Sequence, residues 1–83
     1  MHVNQITGTI IDAAMKVHST LGPGLLESAY RACLMHELRK RGLAVVHEVR
    51  MPLIYDSLKM GVGYRVDLLV ENTVIVELKR SKQ

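Results

Sequence analysis

Aromatic side chains are scarce: Tyr30, Tyr55 and Tyr64 are all there is, with no tryptophan or phenylalanine in 83 residues. The core must therefore be aliphatic, and there is little ring surface on which bases might stack, which argues against an aromatic RNA-reading sheet. The single cysteine, Cys33, excludes an intrachain disulfide. No apolar run approaches the roughly 18 residues of a membrane span, and the first residues lack the charged-then-apolar pattern of a secretory signal, so a reducing cytoplasm is the expected location and no membrane is an expected partner. A zinc site has no basis, since His2, His36 and His47 show no ligand spacing with Cys33. Neither a G-x-x-x-x-G-K loop nor a Ser, His and Asp arrangement is present, which leaves ATP-driven chemistry and hydrolase triads without support. Internal repeats, low-complexity tracts and Ser-rich linkers are absent as well.

What is present is a globular balance, 48% hydrophobic and 23% charged, in a length that suits one domain over residues 1–83. Eleven Lys and Arg against eight Asp and Glu give a net charge of +3, which favours phosphate-bearing partners without proving them. Ile6, Ile10, Ala13, Ala14, Val17 and Leu21 recur at helical spacing and predict a first helix, ended at Leu21-Gly22-Pro23-Gly24, where Pro23 brings no amide donor. His18, in its last turns, suits either a cap of the helix end or support of a nearby site. A second helix is predicted from about Gly24 to Arg41, with Leu26, Ala29, Cys33, Leu34 and Leu38 on its apolar side and Gly42 as its stop. Cys33 on that stripe reads as core.

After Gly42 the period changes from helical to alternating. Val45 to Ile54 reads as a strand with an edge or bulge at Pro52, Asp56 to Gly63 as a turn, and Tyr64 to Val70 and Val74 to Leu78 as two further strands. If Glu71-Asn72-Thr73 is a three-residue loop, Asp67 faces Glu77 and Arg65 faces Lys79 across the ladder. A two-residue loop would instead set Asp67 against Leu78 and part the carboxylates. The three-residue register puts Val66, Leu68, Val70, Val74, Val76 and Leu78 on one face, all aliphatic, which argues for it; Arg65, Asp67, Leu69, Ile75, Glu77 and Lys79 fill the other.

Facing Asp67 and Glu77 would have Cβ atoms about 5 Å apart, within reach of one hard divalent cation, and Lys79 follows on the same side. Two carboxylates and an ammonium suit phosphodiester hydrolysis, in which a metal polarises the phosphate and lowers the pKa of the attacking water while the cation meets developing negative charge. The competing reading is an exposed face of cross-strand ion pairs, Asp67 with Lys79 and Arg65 with Glu77.

Gly24-Leu25-Leu26-Glu27-Ser28-Ala29-Tyr30 reads G-x-x-E-x-x-Y, and Asp67 is followed after nine residues by Glu77-Leu78-Lys79. With the Tyr64 to Val70 strand, these motifs resemble the GxxExxY family of the PD-(D/E)XK nuclease superfamily over about residues 5 to 80. Val66 stands where the superfamily's name-giving proline would be. The resemblance implies an α/β fold with a restriction-endonuclease-like core: two N-terminal helices, then a three-stranded sheet that belongs to a central mixed sheet. It further implies Asp67 and Glu77 as ligands of Mg²⁺, with Mn²⁺ as a substitute, Lys79 as the catalytic cation, and Glu27 as an additional acidic residue at the metal. The alternative for Glu27 is a helix-start charge paired with Arg31, and for Tyr30 the two readings are a donor to a site carboxylate or phosphate and a buried anchor. The basic runs Arg39-Lys40-Arg41 and Lys79-Arg80-Ser81-Lys82 suit phosphate contacts or a solvated face. Family members continue into a further helix and strand that are not seen before Gln83, so an exposed sheet edge and a homo-oligomer built on it are expected. The expectation is a Mg²⁺-dependent nuclease-like domain acting on nucleic acid, DNA in the first place. Its rival is a non-catalytic, shortened nuclease-fold module that binds nucleic acid or protein and self-associates.

Overall fold

The computed structural model describes residues 1–24 and 26–78, with Val62 described by its backbone alone. The order is α1 (Val3–Leu21), α2 (Glu27–Lys40), β1 (Val45–Tyr55), β2 (Leu58–Val70) and β3 (Val74–Val76). Helix α1 starts earlier than its apolar repeat because its first turn is capped reciprocally: His2 Nδ1 accepts from the Asn4 amide at 3.1 Å and Gln5 Oε1 accepts from the His2 amide at 3.0 Å. Ile6, Ile10, Ala13 and Val17 form its buried stripe. Helix α2 starts at Glu27, later than predicted, and Leu26 is exposed where the apolar pattern placed it inward. Leu26 offers no side-chain cap, so Glu27 in the first turn is the acidic group that complements the helix dipole there.

The end of α2 is fixed by the αL residue Gly42, φ 86°. Its amide donates to the Arg39 carbonyl and that of Leu43 to the Leu38 carbonyl, at 2.9 and 3.0 Å, and the buried Leu38 and Leu43 side chains join the core. Arg39 Nη2 then donates to the Val45 carbonyl at 2.9 Å, tying the helix end to the start of β1.

The sheet is an antiparallel meander in the order β1-β2-β3, so among the described strands the mixed sheet implied by the resemblance is antiparallel throughout. Strand pairs Leu68↔Val76, Leu69↔Ile75 and Val70↔Val74 establish the three-residue loop at Glu71-Asn72-Thr73. β3 is shorter than expected, ending at Val76. The expected turn from Asp56 to Gly63 is not one. Asp56 and Ser57, φ 53° and 65°, make a two-residue hairpin turn, and β2 already begins at Leu58. Gly63 belongs to the strand: it pairs with Pro52, and a Cβ there would stand 2.6 Å from the Met51 carbonyl oxygen, so close backbone approach, not turning, demands glycine. The expected bulge is present, as a register shift between Pro52 and Ile54.

Both helices cover one face of the sheet. Val66, Leu68 and Val70 are buried under them, with Val74, Val76 and Leu78 partly buried on the same side. The opposite face, with Arg65 exposed and Asp67 half-buried, has no layer over it among the described residues, which agrees with a slab of 44 × 35 × 17 Å. Cys33 is half-buried.

Candidate active site

Asp67 lies on β2, one residue before the last β2–β3 ladder pair, and Glu77 follows β3 directly. Continuing the register from Leu68↔Val76 sets the two opposite each other, on the face turned away from the helices. Asp67 does more than face its neighbour. Its Oδ2 accepts the Leu78 amide at 2.7 Å, a charge-assisted bond that stands in for the lost ladder bond where the chain leaves β3. Among the described residues that is the one hydrogen bond the Asp67 carboxylate makes, and Oδ1 keeps its lone pairs for another partner. The Glu77 side chain is exposed.

The other expected site residues are placed less closely. Glu27 is exposed at the first position of α2 and is not joined to the Asp67–Glu77 pair: among the described residues no three His, Cys, Asp or Glu side chains form a group able to hold a metal ion. Lys79 and the tail Lys79-Arg80-Ser81-Lys82 lie outside the described residues. Tyr30 takes the anchoring role, its hydroxyl donating to the Ala14 carbonyl at 3.4 Å and its ring packing on the core between the two helices.

Of the two cross-strand pairs that would make this face inert, Arg65 with Glu77 is not formed, and Asp67 with Lys79 lies outside the described residues. Glu27 and Arg31 do not pair either; Arg31 and Arg65 both go to Glu48 on β1. In the basic run at the end of α2, Arg39 donates to the Val45 carbonyl and Arg41 to Glu37, while Lys40 makes no hydrogen bond or ion pair among the described contacts. Glu48 is the residue that sequence reasoning passed over. Its polar position in an alternating strand, in line with Asp67, was a readable signal; its backbone conformation was not.

One groove among the described residues lies apart from the carboxylates. A groove of about 380 Å³ runs between α1 and α2, lined by Val17, Leu21, Cys33 and His36 among others, and neither Asp67 nor Glu77 borders it. A pair of carboxylates on an open sheet face suits a long substrate laid across the surface better than a small molecule enclosed in a pocket.

No helix among the described residues is long and apolar enough to cross a membrane. No curated protein and no solved structure matches the chain significantly. The family model of the PD-(D/E)XK nuclease superfamily matches residues 4–83, nearly the whole chain, and the α/β fold of two helices followed by an antiparallel sheet is consistent with that superfamily's core. Nucleases of this superfamily generally use divalent metals. With the match spanning both helices, the meander and the Asp67 to Lys79 segment, the chain belongs to the PD-(D/E)XK nuclease superfamily.

Proposed function

We propose that this domain, of the GxxExxY kind within its superfamily, hydrolyses phosphodiester bonds in DNA with Mg²⁺ as its cofactor. The observation that carries the reading is the β2–β3 register, which sets Asp67 and Glu77 opposite each other on an uncovered sheet face. The donor set fits a hard cation: two carboxylates supply oxygen only, and Asp67 has Oδ1 to give while the Leu78 amide holds Oδ2. Asp67 and Glu77 would hold the ion, and Mn²⁺ would replace it without a change of ligands. When bound, the ion polarises the phosphate and makes the attacking water more acidic.

The chain's own residues do the rest. The Leu78 amide fixes the Asp67 carboxylate in one orientation, so that it need not be ordered when substrate arrives. Lys79 is the proposed catalytic cation, whose ammonium would offset the negative charge that grows on the phosphate, and Glu27 is the proposed additional acidic residue, which would have to be brought to the metal when substrate binds. A lone free Cys33 is suited to the reducing cytoplasm, the compartment proposed for the domain.

The test is cleavage of plasmid and single-stranded DNA with Mg²⁺ or Mn²⁺, comparing wild type with Glu77→Gln and an EDTA control. Metal-dependent cleavage abolished by both is the expected result. No cleavage from a folded wild type would sink the enzymatic reading and favour a binding module. A specific observation supports that second reading: Ile54, Tyr55 and Leu58 are 61%, 74% and 62% exposed around the β1–β2 turn, more apolar surface than a hairpin tip needs, and suited to self-association. Sedimentation that stays monomeric at every concentration would remove it.

A further inference from the structure

Glu48 sits in the left-handed region, φ 52°, in the middle of a strand. The ladder is in register on both sides of it, His47 with Leu68 and Val49 with Val66, so no inserted residue accounts for the kink. Asp67 is the residue between Leu68 and Val66, which puts Glu48 across the ladder from the proposed metal ligand. A left-handed glutamate is strained, and strain of this kind persists where the surroundings hold it for a purpose. Two arginines from different elements face its carboxylate. Oε1 stands 3.4 Å from Arg31 Nη2 on α2, and Oε2 stands 4.0 Å from Arg65 Nη1 on β2. His47 Nδ1 is 3.9 Å from Oε1 as well. Exposed ion pairs of these lengths add little to stability, so folding alone does not explain the conformation.

We propose that Arg31 and Arg65 are phosphate-contacting residues beside Asp67, and that Glu48 is the positioning residue that holds them there. The inference rests on the phosphodiesterase reading and names the part of the site that grips the substrate backbone. Two guanidiniums on one carboxylate leave an unbalanced positive charge. Each carries five N–H donors, of which one carboxylate occupies few, and the Arg65 side chain is 62% exposed. Arg65 lies two residues before Asp67 on the same strand and face, so a phosphate held there is one strand position from the carboxylate pair.

The test is binding of a labelled DNA duplex in EDTA by fluorescence anisotropy over a range of salt, with the full chain and with Arg31→Ala, Arg65→Ala, Arg65→Lys, Glu48→Gln and Lys59→Ala, each checked by thermal unfolding. Arg31→Ala and Arg65→Ala are expected to weaken binding several-fold and to lower the steepness of the log–log salt dependence by about one each. Lys59→Ala, an equal charge loss on the hairpin, leaves that slope unchanged, and Arg65→Lys restores part of the affinity. Glu48→Gln gives the sharper result. It removes a negative charge, so simple electrostatics predicts tighter binding, whereas a lost anchor predicts binding no tighter than wild type and, in cleavage assays, a lower kcat at unchanged KM. Wild-type binding for the two Arg→Ala variants, tighter binding with normal cleavage for Glu48→Gln, or no binding by the wild type overturns the proposal. Arginine-dependent binding without any cleavage would fail the enzymatic reading alone; cleavage lost in Glu77→Gln with arginine variants that bind normally would fail the clamp alone.

Discussion

The two halves of the β1–β2 hairpin share one ladder and differ in almost everything else. Near the helices, Val45, Val66, Leu68 and Val70 are buried and the core is continuous with α1 and α2. Beyond Met51 and Tyr64 every residue whose side chain is described is exposed, Leu53, Ile54, Leu58 and Met60 included. Alternation of apolar and polar side chains therefore fixes a strand's faces, but only a second layer turns an apolar face into stabilising burial. Asp67 and Arg65 lie in the covered half, on its open side, where the backbone is held by the packed face beneath. Precise placement of a site needs that support, and a bare two-stranded arm does not supply it.

The widest separation between the halves is expected from truncating one leucine and one isoleucine. Leu68 is 0% exposed and neighbours Asp67, and Leu68→Ala should lose about 2–5 kcal/mol by transfer and cavity terms, a large part of a small domain's stability. Ile54→Ala, in the arm, should stay within about 0.5 kcal/mol. Urea unfolding of both variants measures the pair. Equal losses would mean that the arm is covered in solution, as an oligomer would cover it.

Much of this arrangement is legible in the sequence, for identifiable reasons. The aliphatic set Val66 to Leu78 dictates which face is core, and hence the loop length that brings Asp67 opposite Glu77, because a slip of one residue would bury the charges. Gly42 marks the end of α2 because its conformation excludes most other residues. The distal hairpin was not legible, since Gly61 and Gly63 look like turn residues until their partner strand is known. A glycine required by a neighbouring carbonyl and one required by a turn are identical in sequence. Glu48 is the same problem at the site: no pattern within β1 tells that its backbone is left-handed or that Arg31, from another element, reaches it.

Those two glycines sharpen the contrast inside the arm. Gly63→Ala drives a Cβ to 2.6 Å from the Met51 carbonyl oxygen, a backbone atom that cannot rotate away, and should cost about 1–3 kcal/mol. Gly61→Ala meets nothing within 4 Å and should be neutral or stabilising by about 0.5 kcal/mol, as strand glycines replaced without a clash are. Hydrogen exchange separates local from global effects: Gly63→Ala should speed exchange of amides from Leu53 to Tyr64 and leave those of β2 near Leu68 protected. Uniform loss of protection would show that the arm and the covered half unfold as one unit.

The smallest effect expected is one of pH, and it belongs to the covered half. Glu37 on α2 accepts a hydrogen bond from Arg41 and lies 3.8 Å from Lys16 Nζ on α1, so it ties the two helices over the sheet. The Arg41 hydrogen bond, assisted by the charges of Lys16, Lys40 and Arg41 and opposed by partial desolvation, holds its carboxyl below the ordinary value of 4.5. A carboxyl whose folded pKa is depressed binds protons more readily when unfolded. Its contribution is then fully present above pH 4.5 and is lost as the pH falls through the lower, folded value. Wild type should lose thermal stability over that acid window more steeply than Glu37→Gln, which has no carboxyl to titrate, while the two should run parallel above it. Identical slopes through the window would show that Glu37 titrates alike in the folded and unfolded chain. The helix pair would then be held on the sheet by its apolar stripes and not by this ion pair.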